Sequence, residues 1–223
     1  MDGLLLIDKP ADWTSHDVVA KLRGILRTKR IGHAGTLDPF ATGLLVIGVG
    51  RGTKQLTSLV GVDKEYDALV RLGATSDTFD KEGIIVAGTP SFPPVTLNDL
   101  ERALDKFRGG YTQLAPLHSA KKIGGKKLYD LARAGKATED MRPAKQVQIH
   151  ELRLEKYSWP NLFIHVSCGS GTYIRSLADD IGRELGVGGY CESLRRTRVG
   201  PYLVTQALSI EGLTADIAAK HLL

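Results

Sequence analysis

The stretch Gly32-His33-Ala34-Gly35-Thr36-Leu37-Asp38-Pro39-Phe40-Ala41-Thr42-Gly43 runs directly into the apolar segment Leu44–Val49. Its glycines and proline make a tightly turned loop, and the unbroken apolar run after it predicts a strand buried on both faces. Working outward, Leu4–Ile7 reads as a short buried strand ended by Asp8-Lys9-Pro10. Tyr66, Ala68 and Val70 alternate with Asp67, Leu69 and Arg71, the period of a strand. Val147–Leu154 and Leu162–Cys168 read as an antiparallel pair. Thr14-Ser15-His16-Asp17 and the segment Thr96–Asp99 open two helices, the first as a capping box. The second helix should carry Leu97, Leu100, Leu104 and Phe107 on one face. Lys126–Arg133 reads as a short basic helix, Thr172–Leu185 as a longer one, and Pro90, Pro93 and Pro94 mark a loop. Strands and helices alternate irregularly, which predicts an α+β chain: a mixed, largely antiparallel central sheet flanked by helices.

The 223 residues suit one domain, and Cys168 and Cys191 form neither a secreted disulfide framework nor a CxxC pair. No stretch approaches the ~20 apolar residues of a membrane span, so a soluble, cytoplasmic chain is the default expectation. The net charge is +5, and it is unevenly placed. Residues 1–110 balance at 14 basic and 14 acidic side chains, whereas 111–223 hold 16 and 11. Lys121, Lys122, Lys126, Lys127, Arg133 and Lys136 form one cluster, Arg195, Arg196 and Arg198 a second, and Lys21, Arg23, Arg27, Lys29 and Arg30 a third. Such clusters are either solvated faces or the footprint of a polyanion.

Two segments could carry chemistry. Pro39 biases Asp38 toward extended geometry, which fits a carboxylate held as a nucleophile and equally fits an ordinary Asx-type turn. From Cys168 to Gly182 a strand passes through glycines into a helix whose first turn bears Tyr173 and Arg175, a place where backbone N–H groups and a guanidinium favour an anion. No Gly-Lys-Ser/Thr follows, which argues against nucleotide hydrolysis. The histidines 16, 33, 118, 150, 165 and 221 are scattered without metal-ligand spacing, and Asp179-Asp180 reads as a solvated acidic face.

The segment 32–45 resembles the catalytic motif of the TruB family of tRNA pseudouridine synthases. So do Leu5–Pro10, Lys64-Glu65-Tyr66, the segment Ser119–Tyr129, Gly171–Arg175 and Leu194–Thr197, all in collinear order. The resemblance implies isomerisation of uridine to pseudouridine at position 55 in the T-loop of tRNA, by base flipping. Under it Asp38 would be the nucleophile, Tyr66 would stack on the flipped base and help the C5 proton leave, and Arg175 would pair with Asp38. His33 would fill space in the opened T-loop, Tyr173 and Leu194 would line the uridine pocket, and Lys9 would support its floor. Lys121, Lys122, Lys126, Lys127, Arg195 and Arg196 would grip the RNA backbone. An isomerisation needs no redox or energy cofactor, so no cofactor and no metal are expected. The expected partner is the tRNA T-arm, with no membrane and no obligate protein partner, the protein acting as a monomer. An RNA-binding or RNA-folding module using the same pocket is one alternative, and a guide-RNA-dependent synthase core, whose relatives use a C-terminal domain to bind the guide, is another.

Two departures stand out. Many bacterial members continue into a small C-terminal RNA-binding domain, whereas residues 201–223 leave room only for a terminal helix. The expectation is therefore a single catalytic domain over 1–223 with more salt-sensitive tRNA binding. His118 stands where a tyrosine is common, just before Ser119-Ala120.

Overall fold

The structure is a computed structural model that describes residues 1–88, 95–119, 122–123 and 125–223; the side chains of residues 122, 123, 126, 127, 133 and 139 are not described. The expected loop at Pro90, Pro93 and Pro94 lies outside the described residues. In chain order the elements are β1 (Gly3–Lys9), α1 (Ser15–Leu26), β2 (Ile31–His33), β3 (Thr42–Val49), α2 (Leu56–Val60), β4 (Lys64–Leu72), β5 (Ala74–Ser76), β6 (Ile85–Ala87), α3 (Leu97–Asp105) and β7 (Gly109–Leu114). There follow β8 (Lys122–Ile123), β9 (Lys126–Lys127), α4 (Leu128–Arg133), β10 (Ala144–Ser158), β11 (Asn161–Cys168), α5 (Ile174–Glu184), β12 (Gly189–Val199), β13 (Tyr202–Leu203), β14 (Leu208–Ser209) and α6 (Ala215–Lys220). They fall into two compact units, residues 1–67 with 194–223, and residues 68–193.

In the first unit the strands lie in the order β14, β1, β3, β12. β1 pairs with β14 and β3 with β12 in parallel, while β1 and β3 are antiparallel, so the sheet is mixed. The apolar run of β3 is explained by what covers it. Leu45 and Ile47, with Leu5 and Ile7 of β1, pack against Val18, Val19 and Leu22 of α1. Leu44 and Val46, with Leu4 and Leu6, pack on the opposite side with Leu56 and Leu59. Each fully buried aliphatic side chain contributes roughly 1.5–3 kcal/mol, so this doubly covered sheet is a stiff base for the loop that leads into β3. Gly43 is required at its start: its φ is +103°, and a Cβ there would lie 2.3 Å from the Arg196 carbonyl oxygen on β12.

In the second unit β4, β11, β10 and β7 lie side by side, β10 pairing antiparallel with both β11 and β7. Leu100 and Leu104 of α3 are buried, as are Leu177, Ala178 and Ile181 of α5. The α+β expectation of a mixed, largely antiparallel sheet flanked by helices therefore holds. The Thr14/Asp17 capping box forms, and Thr96 with Asp99 makes another. Some details differ. Leu97 is exposed, because it is the first residue of α3 and its turn points outward. Lys126 and Lys127 belong to β9, which pairs with β8, so the helix starts only at Leu128. Residues 201–223 hold β13 and β14 as well as a terminal helix, and β14 extends the sheet beside β1.

Candidate active site

The loop bearing Asp38 is held by buried polar side chains on both flanks. Ser15, at the start of α1 and 2% exposed, accepts the Leu37 N–H at 2.8 Å and donates to the Leu37 carbonyl at 3.2 Å. Lys9, fully buried at the end of β1, donates through Nζ to the carbonyls of Pro10 (2.8 Å), Trp13 (2.5 Å) and Pro39 (3.1 Å). Arg196, on β12 and 1% exposed, donates from Nε to the Leu44 carbonyl at 2.8 Å and from Nη2 to the Gly35 carbonyl at 3.1 Å. The Ala41 N–H closes a turn onto the Asp38 carbonyl at 3.1 Å. Backbone on either side of Asp38 is therefore fixed at Gly35, Leu37 and Pro39, while its own side chain is half-buried. A carboxylate on a backbone pinned this closely is placed before any ligand arrives, which is what a nucleophile on a loop needs.

Three expected residues behave differently from a simple pocket list. Lys9 is wholly enclosed and acts by bracing Pro39. Arg196 corrects the expectation that it grips RNA: the strand period that turns Leu194 inward turns Arg196 inward too, and its guanidinium is engaged with carbonyls of the Asp38 loop. Arg195, one residue earlier, faces outward far enough to chelate Asp8 at 3.0 and 2.7 Å, so a phosphate would have to compete with that carboxylate. His33 ends β2 and is half-buried. Burial, then the nearby Arg196 charge, hold its imidazole below its ordinary pKa, which favours the neutral ring. Tyr66 and Leu194 are both buried, on β4 and β12.

In the second unit Arg175, buried in the first turn of α5, forms an ion pair with buried Asp80 at 2.9 Å. The same Nη1 donates to the Thr78 carbonyl at 2.8 Å, and Nη2 to the His118 carbonyl at 3.1 Å. Asp80 is itself preset: its Oδ1 accepts from the Thr78 hydroxyl (2.6 Å) and the Glu82 N–H (3.0 Å), and Phe79 between them adopts a left-handed φ of 64°. Asp80 carries no local sequence signal; only the fold brings it to Arg175. Tyr173 is the N-cap of α5. The turn before it is pinned by Lys145 Nζ on the Ser170 carbonyl (2.7 Å) and by the Thr172 hydroxyl on the Gly169 carbonyl (2.9 Å). Gly171 is favoured by its left-handed φ of +81°, which other residue types rarely adopt.

Asp179 and Asp180 are not a solvated acidic face. Asp179 is 2% exposed and pairs with Arg183 at 2.7 Å, one turn along. Asp180 receives the Tyr111 hydroxyl at 3.3 Å, and burial, then the neighbouring Asp179 charge, push its carboxyl up to about 6. The first turns of α5 are buried on almost every side, which local charge could not reveal. Lys121 lies outside the described residues, and the side chains of Lys122, Lys126 and Lys127 are likewise not described. Among the described residues, no helix is long and apolar enough to cross a membrane, and no group of His, Cys, Asp and Glu could hold a metal ion.

Residues 23–174 match the TruB family pseudouridylate synthase (N terminal domain), and residues 175–222 match the tRNA pseudouridylate synthase B C-terminal domain. The chain is 43% identical over 231 aligned residues to tRNA pseudouridine synthase B of Thermobifida fusca (strain YX), covering 99% of this chain and 77% of that protein. It is 45% identical to the protein of the same name from Azoarcus sp. (strain BH72), covering 99% of this chain and 72% of the relative. Among solved structures, a chain of a Cbf5-Nop10-Gar1 complex superposes with a TM-score of 0.72 at 29% identity over 93% of this chain. A chain of an H/ACA RNP bound to a substrate RNA containing 2'-deoxyuridine does so with 0.70 at 26% identity over 95%. This chain spans about half the length of those two solved chains, 52% of each. A family match over residues 23–174 and identity above 40% across nearly the whole chain lead to one conclusion: the chain belongs to the TruB family of pseudouridylate synthases.

Proposed function

We propose that this chain isomerises uridine to pseudouridine at position 55 of the tRNA T-loop, with Asp38 as the nucleophilic carboxylate. The observation that carries the reading is the brace around Asp38, because four contacts from Ser15, Lys9 and Arg196 fix the backbone at Gly35, Leu37 and Pro39. The reaction breaks the bond from C1′ to N1 and forms one from C1′ to C5. The C5 proton leaves to solvent and N1 gains one, so atoms and electrons balance with no redox partner. The target base has to leave the loop, which costs a few kcal/mol, and stacking on an aromatic ring recovers ~1–3 kcal/mol; Tyr66 takes that role and assists loss of the C5 proton. Tyr173 lines the uridine pocket, and the ion pair of Arg175 with Asp80 holds the first turn of α5 that follows it. RNA is held by shape and phosphate contacts, to which the lysines of 121–127 and Arg195 contribute. The protein acts in the cytoplasm, as a monomer without an obligate protein partner.

The test is a T-arm stem-loop carrying tritium at C5 of the target uridine. Wild-type protein should release the label without added metal or nucleotide. Asp38→Asn should release none while binding the stem-loop within about threefold of wild type. No release by wild-type protein, or release by Asp38→Asn, refutes the reading.

A further inference from the structure

Tyr173 occupies a position that local chemistry assigns to another residue type. It is the N-cap of α5, with φ −102° and ψ 109° and no side-chain cap of its own. Helix N-caps favour Ser, Thr, Asp and Asn because their short side chains accept a first-turn N–H, and losing that contact costs about 1 kcal/mol. A tyrosine cannot do this. The N-cap residue is held instead through its own backbone by Gln113, 60 residues upstream on β7 and 1% exposed. Its Oε1 accepts the Tyr173 N–H at 2.8 Å, and its Nε2 donates to the Tyr173 carbonyl at 3.0 Å. One side-chain amide thus reads both polar groups of one residue, as a neighbouring strand would. Nε2 also donates to the Tyr111 hydroxyl at 2.5 Å, which in turn faces Asp180. Tyr111 is fixed further by an edge-on contact with Phe107, ring centroids 5.2 Å apart. A flipped amide would set Nε2 against the Tyr173 N–H, so only one orientation satisfies all three contacts.

We infer that Gln113 is a positioning residue for Tyr173, setting the direction in which that side chain leaves the start of α5. This rests on the proposed function, in which Tyr173 lines the uridine pocket. The helix itself stays docked without the clamp, because the Ser176 hydroxyl donates to the Leu114 carbonyl at 2.9 Å and Lys145 holds Ser170. Loss of Gln113 therefore tilts one aromatic side chain while the helix keeps its seat. An error of about 1 Å in a group lining a reacting centre can cost on the order of 100-fold in rate.

Gln113→Met keeps length and volume and removes both contacts to Tyr173. On the tritiated T-arm its kcat should fall about 10–100-fold, with KM within about threefold and secondary structure unchanged. Gln113→Glu, which keeps the acceptor for the Tyr173 N–H, should fall between Gln113→Met and wild type. The inference is overturned if Gln113→Met stays within twofold of wild-type kcat, or if its defect lies in KM alone. It is equally overturned if Gln113→Glu is no better than Gln113→Met in kcat while both are folded. Should Gln113→Met fail to fold, a Gln113→Glu kcat equal to wild type overturns it. An inactive wild-type protein instead removes the functional reading beneath it, so the two failures are told apart.

Discussion

Ser15→Ala isolates the brace on the Asp38 loop with the smallest change of volume. The Ser15 hydroxyl meets both the N–H and the carbonyl of Leu37, at 2.8 and 3.2 Å, and both residues are buried. Alanine leaves two backbone groups without that partner in a space too enclosed for easy rehydration. Stranding a buried donor or acceptor costs roughly 1–3 kcal/mol. The carbonyl contact is the longer one, and alanine in the first turn of α1 returns a few tenths of a kcal/mol through helix propensity. The expected net loss is about 2 kcal/mol. For a chain of this size that lowers Tm by about 4–8 °C, and in urea the midpoint should fall with an unchanged slope. Leu37 adjoins Asp38, so kcat on the T-arm should fall at least about tenfold, because freed backbone lets the carboxylate wander from its attack position. Thr14→Ala is the control. It removes a capping contact to Asp17 that is solvent-exposed and should cost about 1 kcal/mol without changing kcat. Stability lost in Ser15→Ala with kcat intact would show that the brace does not position Asp38. Neither lost would show that Leu37 finds other partners, and the reasoning about enclosed polar groups would be wrong.

Two further outcomes follow from the same geometry. Arg196→Met should reduce both stability and kcat, yet leave the dependence of RNA affinity on log salt unaltered, since its guanidinium engages the Leu44 and Gly35 carbonyls; a slope shallower by about 1 would mean that it does neutralise a phosphate. Asp180 has its carboxyl raised from 3.8 to about 6, so the folded state binds its proton more readily than the unfolded chain does. Stability is therefore lost as pH rises from about 4 to 6, and the full penalty stands above that window. Asp180→Asn should raise stability at pH 7.5 by about 1 kcal/mol, a ceiling near 3 kcal/mol being discounted for the group's partial exposure, and give nothing near pH 4. Equal gains at both pH values in urea titrations would contradict the assignment.

The strands follow their local patterns, whereas the buried charged residues depend on partners distant in the chain. The alternation of Tyr66, Ala68 and Val70 and the unbroken run of β3 are recorded within a few residues, and both strands form as expected. Charged neighbours usually mean solvent, yet Arg196 and Asp179 are buried. Their actual partners sit on another strand, or one helical turn away inside a buried face, and charge clustering is blind to that. Asp80 and Gln113 carry no pattern at all, since their partners lie 95 and 60 residues off in sequence. Two positions nevertheless carry a local signal, because each breaks a local rule. Tyrosine is a poor N-cap, and arginine at the inward phase of a strand is costly unless every donor is met. In both places the fold supplies partners from a distance: Gln113 clamps the backbone N–H and carbonyl of Tyr173, and the carbonyls of Gly35 and Leu44 engage the Arg196 guanidinium. Local exceptions whose partners are built elsewhere are expected at functional or strained sites. The broken rule therefore points to the same two neighbourhoods, around Asp38 and around Tyr173, that the family motif marks for chemistry.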